Sequence, residues 1–332
     1  MKLDNKGFAF STLLYGILAV IIVVLMLLFG LYSRTADELY YYAAVEEENL
    51  NRCVEQEIAL ENCYANCSSN CNVECNPSAY YACLGIEDKA GGTKVNAAEY
   101  LKSHPSSGFT SINNYELKYI YKGTDVHNYV SFSNDVWRII GITNTGLIKI
   151  GYFGLIDNQK WDNAGEDDWV NSSLYNYLNN GFFNSIADNQ MIYKVSFNTG
   201  KLDDTASQNA ATILTKEKAE QQASMVGLLN LSDYIKASSS ATCNTSIINT
   251  TNCDSWMIRA GRSSWLINAT NATSPKKAYV MVYNSSNTTG KIQSANITSN
   301  YTVVPVVYLS SDVKLIQGAG DGQKSSPYIL GK

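Results

Sequence analysis

Residues 136–153 read VWRIIGITNTGLIKIGYF. Two runs rich in Ile and other β-branched or aromatic residues, 136–142 and 147–153, flank Asn144-Thr145-Gly146. Such side chains suit a pleated, half-buried surface, and Asn and Gly supply the backbone freedom of a tight turn. The stretch therefore predicts a β-hairpin. Outward from it, the same texture covers 115–121 and 128–132 on one side, and 191–197, 224–229 and the strand–turn–strand tail 277–316 on the other, with 287–290 as a turn. Pro305 inside TVVPVVYLS has no N–H for a ladder, which predicts an edge strand or a bulge there. Gly318-Ala-Gly-Asp-Gly322 has no helix or Lys-Ser/Thr after it and reads as a turn before a last strand, not as a phosphate loop. Helices are predicted over 97–101, over 172–179, where Leu174 and Leu178 stand four apart behind a Ser or Asn cap, and over 233–237 with Ser232 as cap. The fold class is α+β, with a mixed head spanning 113–332.

Toward the amino terminus the chain changes character. Residues 8–32, FAFSTLLYGILAVIIVVLMLLFGLY, carry no charge between Lys6 and Arg34. A helix of that length covers a bilayer core of about 30 Å. Lys2 and Lys6 precede the run, whereas Asp37, Glu38, Glu46, Glu47 and Glu48 follow Arg34, which orients the amino terminus to the cytoplasm and the rest outside. The run is too long for a secretory signal peptide and lacks a small-x-small cleavage site. No Gly or Pro interrupts 33–61, and Leu39, Ala43, Leu50, Val54 and Ile58 recur on one helical face, so the membrane helix is expected to continue as a stalk through 61.

Residues 62–112 form a Cys-rich neck and linker. The eight cysteines stand at 53, 63, 67, 71, 75, 83, 243 and 253. An even number on the outer side of a membrane reads as disulfides. Zinc is the competing reading for the C-x3-C series, but no Cys-x2-Cys pair is present and neither His104 nor His127 lies nearby. Cys243 and Cys253 stand alone in the head and are expected to bond to each other, a closure that stabilises by roughly 2–3 kcal/mol.

Lys6-Gly7-Phe8, set against an apolar helix, resembles the prepilin leader of type IV pilins and pseudopilins. The resemblance covers the first thirty to fifty residues or so. It implies a leader of residues 1–7, cut between Gly7 and Phe8, and packing with other pilin-like subunits. The family usually has Glu at the fifth mature position, where this chain has Thr12, a departure that bears on assembly more than on cleavage. A plain signal-anchor is the alternative.

A second resemblance spans about 115–330. Trp137-Arg138-Ile139-Ile140, Trp169-x-x-Ser172-x-Leu174-x-x-x-Leu178-Asn179, Leu228-Leu229-x-Leu231-Ser232, Trp256-Met257-Ile258-Arg259, Val304 to Leu309, and Gly318-x-Gly320-Asp321-Gly322 before Pro327-Tyr328 follow one another in order. The series is similar to a bacterial surface domain carried behind prepilin-type or single-helix anchors, itself similar to C-type-lectin-like folds and the sulfatase-modifying-factor group. It implies a fold and assigns no catalytic residue.

Composition narrows the function classes. Net charge is -5 with no Lys/Arg block, which gives nucleic-acid binding no support. The two histidines have no G-x-S-x-G near them, so no catalytic residue is assigned and no enzyme activity is expected. The candidate site is the stretch 157–169. Asp157, Asp162, Glu166, Asp167 and Asp168 are hard oxygen ligands of the kind calcium takes, and Trp161 and Trp169 offer indole faces suited to a sugar ring. The competing reading is a solvated acidic loop whose tryptophans anchor it to the core. The expected function is a pilin-like or pseudopilin-like subunit, single-pass in the cell membrane, in a pilus or secretion pseudopilus. Its head would bind a surface glycan or protein. An anchored extracellular enzyme and a purely structural surface protein are the alternatives.

Overall fold

A computed structural model describes residues 92–331 apart from 114, 155, 157, 205–209, 241–242, 244–254, 259–261 and 285–288. The leader with Gly7 and Phe8, the apolar run, the stalk, the cysteines before 92, Asp157 and Cys253 lie outside the described residues. No helix among the described residues is long and apolar enough to cross a membrane.

The head is α+β and sheet-rich, and the predicted hairpin sits at its centre. Strands Asp135–Thr143 and Ile148–Gly151 pair antiparallel, with Ile139 opposite Ile150 and Ile142 opposite Ile148. Gly146 takes φ +84°, which only a residue without Cβ adopts freely, and the Thr143 amide donates to the Leu147 carbonyl at 3.0 Å. The long strand then serves two partners along its other edge: Tyr129–Phe132 pairs with its first half and Leu117–Tyr121 with its second. The approach of the second partner is close. A Cβ on Gly141 would lie 2.2 Å from the Tyr119 carbonyl oxygen, so the bulge there requires glycine.

A ten-stranded sheet grows from this pair. On one side the final strand Tyr328–Gly331 adds parallel to 129–132, followed by Lys314–Ile316 and Lys94–Asn96. Residues 94–111, read from sequence as linker, are thus built into the head: the strand at 94 leads into helix Ala97–Ser103, whose Ala97, Ala98 and Leu101 are buried. On the other side Val306–Leu309 pairs with 148–151 and with Ile192–Tyr193. This corrects the expectation from Pro305. The strand is interior, and Pro305 stands just before its first residue, where its carbonyl accepts from the Tyr152 amide at 2.9 Å and its missing N–H costs nothing.

Other elements also differ from expectation. The predicted strand 224–229 begins and ends earlier, as Gln221–Ser224 paired with Val195–Asn198. Beyond it the Asn179 side chain takes the amides of Met225 and Val226, leaving Gly227 a single bridge to Val306. The helix expected at 233–237 is Leu231–Lys236, with Asn230 at the N-cap rather than Ser232, and the Asp233 carboxylate accepts the Asn230 amide at 2.8 Å. Ser172 does cap Ser173–Asn176, its hydroxyl accepting from the Tyr175 amide, and the chain continues through a π-helical stretch, Tyr177–Phe182. In the tail, Lys277–Asn284 pairs with Thr289–Asn296, so Thr289 and Gly290 are strand residues rather than turn.

Candidate functional site

The charged centre of the head is Lys149. Its strand is buried end to end, and the lysine side chain is 0% exposed. An ammonium in that position costs several kcal/mol unless it is paired and hydrogen-bonded. Lys149 Nζ donates to both Asp233 oxygens at 2.8 Å and to Glu116 Oε1 at 2.7 Å. Asp233 reaches it from the first turn of the 231–236 helix, and Glu116 from just before the 117–121 strand. Tyr308, directly opposite Lys149 in the neighbouring strand, donates its hydroxyl to Glu116 Oε1 at 2.8 Å. Asn198 donates to Glu116 Oε2 at 2.6 Å, and the Tyr115 hydroxyl donates to Asp233 Oδ1 at 2.6 Å.

The electrostatics follow from burial and pairing. Burial alone would depress the Lys149 ammonium, but Asp233 and then Glu116 outweigh it and hold the lysine well above its usual range. Burial pushes Glu116 up, yet the Lys149 charge and the Lys149 and Tyr308 hydrogen bonds bring it below the ordinary carboxylate value. Burial, then the neighbouring carboxylates, push both phenols up, so Tyr115 and Tyr308 stay protonated donors. Glu217, fully buried at the end of helix Ala210–Glu217, is pushed up to about 8 by desolvation despite the Ser232 amide at 3.0 Å. It is therefore neutral at physiological pH. Asp233 is likewise pushed up by burial, against the opposing pull of Lys149.

Glu116 is where this network meets solvent. Its side chain is 20% exposed, against 0% for Lys149 and Asp233. It opens onto a cleft of about 330 Å³ whose polar lining includes Asn198, Lys218, Gln221, Ser196 and Tyr308, with Leu147 and Val195 as apolar wall. Gln221 is itself oriented, donating to Asn198 Oδ1 at 2.8 Å. The arrangement can accept hydrogen bonds at a carboxylate, donate them from amide and ammonium groups, and pack an aliphatic face.

The residues singled out by sequence lie elsewhere. Trp161 and Trp169 do come together, with ring centres 5.8 Å apart, but they are 0% and 2% exposed. Their faces are spent on the core, and neither can stack on a sugar ring. Asp162, Glu166, Asp167 and Asp168 share one loop. Asp162 accepts the amides of Ala164, Glu166 and Ser173, each at 2.7 Å, which holds it below its usual value against the opposing effect of burial. Glu166 accepts the amides of Asp167 and Asp168; Asp167 pairs with Lys201 at 2.7 Å and Lys276 at 2.9 Å; Asp168 accepts from Gln222 and Asn171. No group of three or more His, Cys, Asp or Glu placed to hold a metal ion occurs among the described residues. Cys243 is buried and disulfide-bonded, while Cys253 lies outside the described residues. His104 stacks on Tyr100 at the end of its own helix.

Sequence reading passed over the Lys149 cluster. The available signal was a lysine inside the apolar run LIKIG. Alternation places it on the face opposite Ile148 and Ile150, which reads as solvent, but in the fold that face is covered by the 231–236 helix. No family model, no curated protein and no solved structure matches the chain.

Proposed function

We propose that this chain is a pilin-like surface subunit anchored by its 8–32 segment in the cell membrane, whose head holds a polar partner, a surface glycan above all, in the Glu116 cleft. The observation that carries the binding role is Glu116 itself: a carboxylate fixed by Lys149, Tyr308 and Asn198, and the one member of the Lys149, Asp233 and Glu116 trio open to solvent. A rigid acceptor ringed by Gln221, Ser196 and Lys218, beside Leu147 and Val195, suits hydroxyls on one side of a ligand and C–H groups on the other. The volume falls at the lower end of small-ligand sites. The lectin-like fold that the head's sequence resembles, and the uncharged run behind a Lys-Gly-Phe junction, support display outside the cell.

The test is a glycan array with the full chain in detergent, compared with Gln221→Ala and Glu116→Gln. Binding that either substitution weakens at least tenfold supports the cleft. Binding indifferent to both removes the cleft from the reading, and no binding to any glycan leaves a protein partner or the purely structural role. The acidic loop remains a separate calcium proposal. A calcium-induced rise in melting temperature, abolished by Asp167→Ala with Asp168→Ala, would move the site there.

A further inference from the structure

We propose that Lys149 and Asp233 are joined by an intramolecular amide bond, formed by the folded chain itself. Lys149 Nζ lies 2.8 Å from each Asp233 oxygen, which brings it within roughly 3–3.5 Å of the carboxyl carbon, the contact from which attack begins once the nitrogen moves over the carboxyl plane. Both side chains are 0% exposed, and water, which would favour hydrolysis and stabilise the separate ions, is excluded. Strand and helix hold the two groups from opposite sides, 84 residues apart in sequence, so the reacting geometry is set by folding.

The surrounding groups fit the chemistry. Tyr115 donates to Asp233 Oδ1 at 2.6 Å and the Asn230 amide to Oδ2 at 2.8 Å, and both draw electrons from the carboxyl carbon. Glu116 Oε1, 2.7 Å from Nζ, is placed to pass an ammonium proton on to the Asp233 carboxyl, whose affinity for a proton burial raises; the pairing that holds Lys149 charged makes this transfer the slow step. Nitrogen then bonds to the Asp233 carbon and one carbon–oxygen bond breaks. Two of the ammonium's protons leave with that oxygen as water, one of them by way of Glu116, and the third stays on the amide nitrogen. One positive and one negative charge disappear together, no oxidant or cofactor is used, and Glu116 ends as it began. The product removes two charges from the interior, where their desolvation opposes folding. It also ties the central sheet to the 231–236 helix covalently, which suits a head exposed outside a cell.

The test is a peptide map of the reduced full chain, extracted from membranes after folding. A branched peptide containing both Lys149 and Asp233, lighter by one water than its two parts, is the expected result. Lys149→Arg keeps the charge and cannot form the amide, so its peptides should appear separately at full mass. Glu116→Gln leaves nucleophile and electrophile in place and should lose most of the branched product. Unmodified Lys149 and Asp233 peptides from the wild-type chain overturn the proposal. A branched product undiminished in Glu116→Gln overturns the role given to Glu116.

Discussion

Glu217→Gln should stabilise the protein, and increasingly so as pH rises. The wild-type carboxyl is fully buried, and its remaining oxygen, Oε2, has no hydrogen-bond partner. Desolvation raises it from the ordinary 4.5 to about 8. Between those values the folded state binds a proton that the unfolded state releases, so stability falls as pH rises through the window and levels off above it. Closing the whole gap is worth about 5 kcal/mol at 1.36 kcal/mol per pH unit, and somewhat less at pH 7. Glutamine keeps the acceptor for the Ser232 amide and never ionises. Melting curves of the two full chains should therefore nearly coincide at pH 4.5 and separate steadily toward pH 8, the variant melting higher. For a domain of this size each kcal/mol moves the melting temperature by about 2–4 °C. Parallel curves across pH 5–8 would refute the reasoning, because they would mean that Glu217 is ionised or solvated in the fold.

Intact mass of the membrane-extracted protein should show the loss of residues 1–7; a retained Met1 leaves the plain anchor. A non-reducing peptide map should link Cys243 to Cys253, and either one free, or bonded to the neck, contradicts that pairing. Asp162→Ala strips the acceptor from the amides of Ala164, Glu166 and Ser173 and should cost about 2–3 kcal/mol in denaturant unfolding with chelator present. A cost that appears only with calcium would point to a bound cation instead. Gly141→Ala places a methyl against the Tyr119 carbonyl and should cost about 1–3 kcal/mol by the same assay; a neutral result would mean that the bulge opens freely.

What was legible in the sequence was whatever local chemistry decides. The 144–146 turn, the cap at Ser172, and the glycine turn before the last strand depend on a few adjacent residues, and they fold as those residues dictate. Elements set by distant contacts were not legible. Pro305 reads as an edge signal only if it lies within the strand, and a one-residue offset lets the strand run through the interior of the sheet. Residues 225–229 are apolar enough for a strand, yet the Asn179 side chain supplies part of the hydrogen bonding that a ladder would have given.

The same distinction explains the site. Tryptophans beside carboxylates look like a ligand surface when only neighbours in sequence are counted, but a large indole gains most from burial, and the carboxylates of that loop find donors in its own backbone and in Lys201 and Lys276. Lys149, Asp233 and Glu116 show no pattern at all in sequence, being separated by 33 and 84 residues. Their contact depends on the helix closing over a face that alternation assigns to solvent. Once that helix is in place, a lysine that would otherwise make the strand untenable becomes the residue that selects its partners. The interior tolerates its charge only if carboxylates meet it, and one of those carboxylates is left at the wall of a cleft.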